Sequence, residues 1–163
     1  GIYNIVAGVV VLFSFLNTAM TSATQRFITY SLGKNDLIKS NEVFITSVLL
    51  HSMIAIVLVI FSETLGMVIF KGLINIPEDR VSTSKIVYQF SILTTVFHVL
   101  AVPYISTIIA YEKLRIFALI SIVDAILKFT VAYSTKYSFG DGLILYSVLL
   151  SVASFVTLSI VVL

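Results

Sequence analysis

The chain has 163 residues, 59% of them hydrophobic and 11% charged, with a formal net charge of +2 and a mean hydropathy of +1.11. Soluble domains average about 45–50% apolar and about 25% charged residues, so a water-soluble fold of this size has too little interior for these side chains, and disorder is excluded for want of polar ones. The ten Lys and Arg residues form no basic run able to follow a phosphate backbone, and there is no Cys, which removes nucleic-acid binding, disulfides, thiolate metal sites and cysteine nucleophiles.

The solvent that suits such a chain is a lipid bilayer, whose hydrocarbon about 20 helical residues can cross. Charges divide the sequence into five apolar segments: Ile2 to about Leu32, broken only by Arg26; Val43 to Phe70; Ile86 to Tyr111; Ile116 to Thr135; and Leu143 to Leu163. These runs are too long and too continuously apolar for barrel strands, and only helices otherwise satisfy backbone groups in lipid. The expected fold is all-α, a polytopic bundle of about five spanning helices. The chain opens at Gly1 and closes on Val161-Val162-Leu163 inside apolar runs. Residues 1–163 therefore read as one partial bundle, an internal fragment of a larger membrane protein.

The connections carry turn and cap signals. Gly33 suits a helix C-terminus and Ser40 or Asn41 the start of the second helix. Gly72, Pro77 and Glu78-Asp79 mark the next loop, after which Ser82 or Ser84 starts the third helix. Glu112 to Arg115 reads as a tight charged turn, and Gly140-Asp141-Gly142 as another. Arg26, Lys34, Lys39, Lys113 and Arg115 lie on one side of the bilayer, and Lys71, Arg80, Lys85 and Lys136 on the other. Five against four favours the first side as cytoplasmic.

Polar residues within spanning helices are the functional signal, since they cost energy in lipid and normally face protein or water. On the first helix Ser14, Thr18, Thr21/Ser22, Gln25 and Thr29 share one face, bordered by Arg26. Helix packing and carbonyl back-bonding explain the hydroxyls, and interfacial snorkelling explains Arg26; the functional reading gives Arg26 and Gln25 contacts to an oxyanion. On the fourth helix Ser121, Asp124 and Lys128 fall at i, i+3 and i+7, stacking the carboxylate and the ammonium on one face. Such a pair either fixes packing alone, or offers Lys128 to an anionic substrate and Asp124 to a coupling proton or cation. Ser91, Thr95 and His98 stripe the third helix, whose Pro103 breaks a backbone bond; His98 is either a helix contact or a proton relay. His51 and Glu63 on the second helix are weaker candidates, and Ser147, Ser151 and Ser154 read as a packing seam.

No phosphate loop, dinucleotide fingerprint, zinc-protease motif or serine elbow occurs, and two separate histidines make no metal site. No cofactor and no enzymatic activity are expected.

Two stretches, TSATQRFITYSLGKND (Thr21 to Asp36) and YQFSILTTVFHVLAVPYISTIIAYEKLRIFALISIVDAILK (Tyr88 to Lys128), resemble bacterial polysaccharide-biosynthesis membrane proteins. These are the lipid-linked oligosaccharide flippases of the multidrug/oligosaccharidyl-lipid/polysaccharide exporter superfamily. The resemblance implies the second to sixth spanning helices of the amino-terminal lobe of a two-lobed transporter, completed by the remaining helices of the full-length protein. It implies alternating access, movement of an undecaprenyl-diphosphate-linked glycan across the bacterial cytoplasmic membrane, and a basic cavity in which Arg26 and Lys128 receive the anionic headgroup. It also implies that the QRF and YEKLR loops are cytoplasmic. The alternatives are a multidrug cation antiporter of the same superfamily, dependent on Asp124 and Glu63, or the membrane part of a glycan-processing enzyme.

Overall fold

The computed structural model describes the backbone of residues 2–68, 70, 80–137 and 141–163, and side chains from Asn17 onward in those ranges except that of Tyr137. Lys71, Gly72, Pro77, Glu78, Asp79, Gly140 and the side chain of Ser14 lie outside the described residues.

Five helices follow one another: α1 (Ile2–Gly33), α2 (Leu37–Val68), α3 (Val81–Ala110), α4 (Leu114–Ser134) and α5 (Gly142–Val162). No strand forms among the described residues. Helices α2 to α5 are each long and apolar enough to cross a membrane, yet only 11–28% of their most apolar windows is buried within the protein. Leu49, Met53, Ile56, Val57 and Ile60 of α2 and Phe129 of α4 all stay exposed. A belt of that size is not left facing water, and a multi-pass membrane protein is the arrangement that accommodates it.

Helix α3 is the hub, packed against α1, α2, α4 and most extensively α5. Membrane helices gain little from mutual hydrophobicity, so close approach by small and hydroxyl residues matters. Ser106, wholly buried in α3, donates to Val102 O at 2.7 Å and lies 3.1 Å from Thr21 O of α1. The Phe44–Tyr104 and Phe97–Phe155 ring pairs, 5.5 and 5.3 Å between centroids, join α3 to α2 and α5.

The helices extend beyond the apolar runs, because hydropathy marks where the chain leaves lipid and not where it stops being helical. Helix α2 starts at Leu37, six residues before Val43, and Asp36 caps it by accepting from Lys39 N at 2.9 Å. Ser40 and Asn41 are inside the helix, against the expectation that one of them caps it. Likewise α3 starts at Val81 behind Arg80, with no side-chain cap from Ser82 or Ser84. At the end of α1 the left-handed residue is Asn35 (φ 57°) and not Gly33. There Asp36 N reaches Ser31 O at 3.0 Å and Asn35 N reaches Leu32 O at 2.8 Å, the paired bonds of a Schellman ending, which Asn tolerates at its left-handed position. Helix α3 ends the same way with Glu112 at φ 56°, and the charged turn to α4 is as tight as its sequence implies.

Gly66 is dictated by close approach: a Cβ there would lie 2.7 Å from Cε1 of Tyr88, whose hydroxyl donates to Ser62 O at 2.6 Å. Gly66→Val is expected to push the ring off α2, break that bond and destabilise the bundle by about 1–3 kcal/mol, the usual cost of overpacking. A lower Tm in detergent, partly restored by adding Tyr88→Ala, would bear this out; an unchanged Tm would refute it.

At the same end of the bundle Asp141 ties α3 to α5. Its carboxylate caps α5 through Leu143 N at 3.2 Å and accepts from Thr83 Oγ1 at 2.8 Å and Arg80 Nη1 at 3.2 Å. The Thr83 bond, with the Leu143 amide and the Arg80 charge, holds this carboxyl below the ordinary aspartate range. A depressed folded value means the latch contributes fully above the unfolded value and is lost as pH falls through the folded one. The wild-type Tm should therefore fall as pH drops below about 4, and Asp141→Asn should start lower and lose this part of the pH dependence. Identical Tm–pH curves would refute the latch.

Candidate functional site

Asp124 and Lys128 of α4 border a cavity shared with α3 and α5, whereas Arg115 at the start of the helix is exposed. Asp124 stands midway along α4, about 15 Å from either end at about 1.5 Å per residue. Its four-residue spacing from Lys128 puts the two side chains on one face, and Lys128 Nζ meets Asp124 Oδ2 at 2.8 Å. Across the interface Thr157 of α5 donates to Asp124 Oδ1 at 3.1 Å. Both carboxylate oxygens are thus engaged, one by charge and one by a hydroxyl. The Asp124 side chain keeps 24% of its surface exposed and that of Lys128 keeps 42%, so the ammonium is the half of the pair that a ligand can reach.

His98 of α3 completes the group. Its Nε2 lies 3.4 Å from Ser154 Oγ of α5, and it sits within electrostatic reach of both Lys128 and Asp124. Together with Ser121, Phe97 and Phe117 these residues line a cavity of about 210 Å³ between α3, α4 and α5, the volume of roughly seven waters. Its chemistry is one cation, one anion, one imidazole and three hydroxyls, beside the midpoint of α4.

Arg26 and Gln25 are not part of this cavity. They line a shallow surface recess made by α1 alone, with Ser22, Thr29 and Tyr30. Residues of α1 touch α2 and α3 but make no substantial contact with α4. Arg26 and Lys128, expected to share one basic cavity, therefore line two separate recesses in this bundle. Glu63, near the end of α2, accepts from Gln89 Nε2 at 3.3 Å and stays apart from both.

A third polar group was not singled out by the sequence as a unit. Thr24 of α1 meets Ser47 of α2, 3.1 Å between hydroxyl oxygens, and His51 Nδ1 lies 2.7 Å from Ser47 O. All three are buried, and His51 Nε2 has no hydrogen-bond partner among the described residues. They floor a mostly apolar groove of about 510 Å³ between α1 and α2, with the exposed Lys39–Glu42 pair at one end. No charge sits at membrane depth there, so the groove lacks what draws an ionic ligand into the bilayer. The serine seam of α5 does pack: Ser147, Ser151 and Ser154 are all buried. Thr157 continues that seam to Asp124, a partnership that the sequence period alone could not name.

A scan against protein-family models finds no family that matches this chain, and searches of curated proteins and of solved structures find no match either.

Proposed function

We propose that this chain belongs to a multi-pass transporter of the bacterial cytoplasmic membrane that flips an undecaprenyl-diphosphate-linked oligosaccharide between leaflets by alternating access. The observation that carries this reading is an ion pair that begins midway along a helix long and apolar enough to span a membrane, open to a ligand on its lysine side and walled by three helices. Ionisable groups at such depth are expensive and mark transport pathways more often than packing contacts. A site near the bilayer midplane between helices also suits rocking-bundle transport.

In this reading Lys128 engages a phosphoryl oxygen, Asp124 couples to a proton or sodium ion, and His98 modulates the pair. Arg26 and Gln25 meet the headgroup at a different point of its path, nearer the cytoplasmic surface. The cavity is too small for a glycan, so the sugars would occupy space completed by other helices of the full-length protein. An organic-cation antiporter is the weaker reading, because Lys128 neutralises the carboxylate that a cation would need.

The deciding experiment puts the purified full-length protein in vesicles with a fluorescent lipid-linked oligosaccharide and follows its transfer between leaflets by surface quenching. Transfer supports the reading. Chemical conversion of the lipid substrate would replace it with an enzyme, and transport of organic cations alone would replace it with an antiporter.

A further inference from the structure

The Lys128–Asp124 pair has a property that follows from its neutrality. A phosphoryl anion entering the cavity finds the ammonium already occupied by a carboxylate at 2.8 Å. To bind by a charge-assisted bond it must take the place of that carboxylate. Asp124 would then be left ionised at the membrane centre with one hydroxyl donor, Thr157, which is a costly state. A proton removes that cost.

We propose that anion binding at Lys128 and proton binding at Asp124 are a single linked event, so that each phosphoryl anion enters this site together with one proton. The proposal rests on the headgroup reading above and adds the sign and stoichiometry of coupling. The balance is simple: the anion's P–O⁻ replaces the carboxylate on the Lys128 ammonium, and Asp124 takes one H⁺ from water to become a neutral acid. The Thr157 hydroxyl then remains on one of its oxygens. The net charge of the occupied site falls by the charge of the anion less the one proton gained. When the anion leaves, the proton leaves, and the pair closes again.

The titratable groups facing the site are few. Helix α3 contributes His98, and α4 contributes Asp124 and Lys128 themselves. Helix α5 contributes only the hydroxyls of Ser154 and Thr157. A proton needs a single carboxylate oxygen, whereas a metal cation needs a shell of oxygen ligands, and among the described residues only Thr157 is bonded beside the carboxylate. The geometry thus favours the proton over sodium as the coupled ion.

By reciprocity, an anion that brings a proton must bind more tightly as pH falls, approaching tenfold per pH unit when uptake is one for one. The test uses the full-length protein in detergent and a water-soluble dialkyl diphosphate, a diester that holds no titrating proton near neutrality. Calorimetry in two buffers of different ionisation enthalpy counts the protons exchanged, and affinity is measured from pH 6 to 8. The expected result is uptake of about one proton per diphosphate and affinity that strengthens with acidity. Asp124→Asn should bind with no uptake and a flat pH profile, while His98→Gln should keep the uptake.

Binding without proton exchange by the wild type would overturn the linkage and leave the headgroup reading standing. Uptake lost in His98→Gln but kept in Asp124→Asn would overturn it too, by moving the proton to the imidazole. No binding at any pH would remove both the linkage and the headgroup reading. Because the wild-type measurements need no variant, a poorly folded Asp124→Asn does not rescue the idea.

Discussion

Lys128→Ala in the full-length protein is expected to slow leaflet transfer of lipid-linked oligosaccharide about 10- to 100-fold per folded molecule. The magnitude follows from the bond that is lost. A charge-assisted hydrogen bond contributes about 1.5–3 kcal/mol, and about 1.4 kcal/mol is tenfold in an equilibrium constant. Lys128 is the half-exposed member of its pair and the cation of the α3–α4–α5 cavity, so no neighbouring side chain in that cavity can replace it. Lys128→Arg should recover part of the rate, since charge is kept while the planar guanidinium demands a different geometry. Arg26→Ala should have a smaller effect, because Arg26 lies on an open recess of α1 where water screens its charge. Transfer by Lys128→Ala at the wild-type rate would remove Lys128 from the mechanism, and a larger effect from Arg26→Ala would move the site to α1.

The parts of this picture that sequence could reach were those governed by local spacing. Five apolar runs became five helices because lipid leaves the backbone no other open-chain option, and Asp124 met Lys128 because four residues make one helical turn. The helix ends were less legible. Hydropathy stops at Val43 and Ile86, but the backbone bonds of α2 and α3 continue through Lys39, Glu42 and Lys85 into the aqueous edge. Contacts between helices were out of reach altogether. Thr157 and Ser154 looked like any small residue of a packing seam until α5 was seen beside α3 and α4. The resemblance to flippases implied one basic cavity for Arg26 and Lys128, yet period fixes a face only relative to its own helix. Which helices are neighbours is decided by packing, and α1 chose α2 and α3.

The strength of the Asp124–Lys128 coupling is open to direct measurement, and asymmetry within the pair sets the expectation. Removing Lys128 leaves a short carboxylate at the centre of α4, where it cannot reach the interface. Removing Asp124 leaves a long ammonium only six residues, about 9 Å, from the end of α4, near enough to snorkel toward water. Charges at membrane depth cost about 2.5–3.5 kcal/mol on insertion scales, and partial exposure lowers that for this cavity. Lys128→Ala should therefore destabilise the bundle by about 2 kcal/mol, and Asp124→Ala by about 1 kcal/mol, smaller because its orphan can relocate. The double variant should be more stable than the sum of the two losses predicts, with a coupling of about 1–2 kcal/mol, as for residues in direct contact. Reversible denaturation in mixed micelles at pH 7 gives all four corners of that cycle. Additive losses would mean that each charge finds its own solvation in the membrane and that the two do not act as a unit. In that event an anion could take Lys128 without disturbing Asp124, and the proposed link between anion and proton binding would be lost.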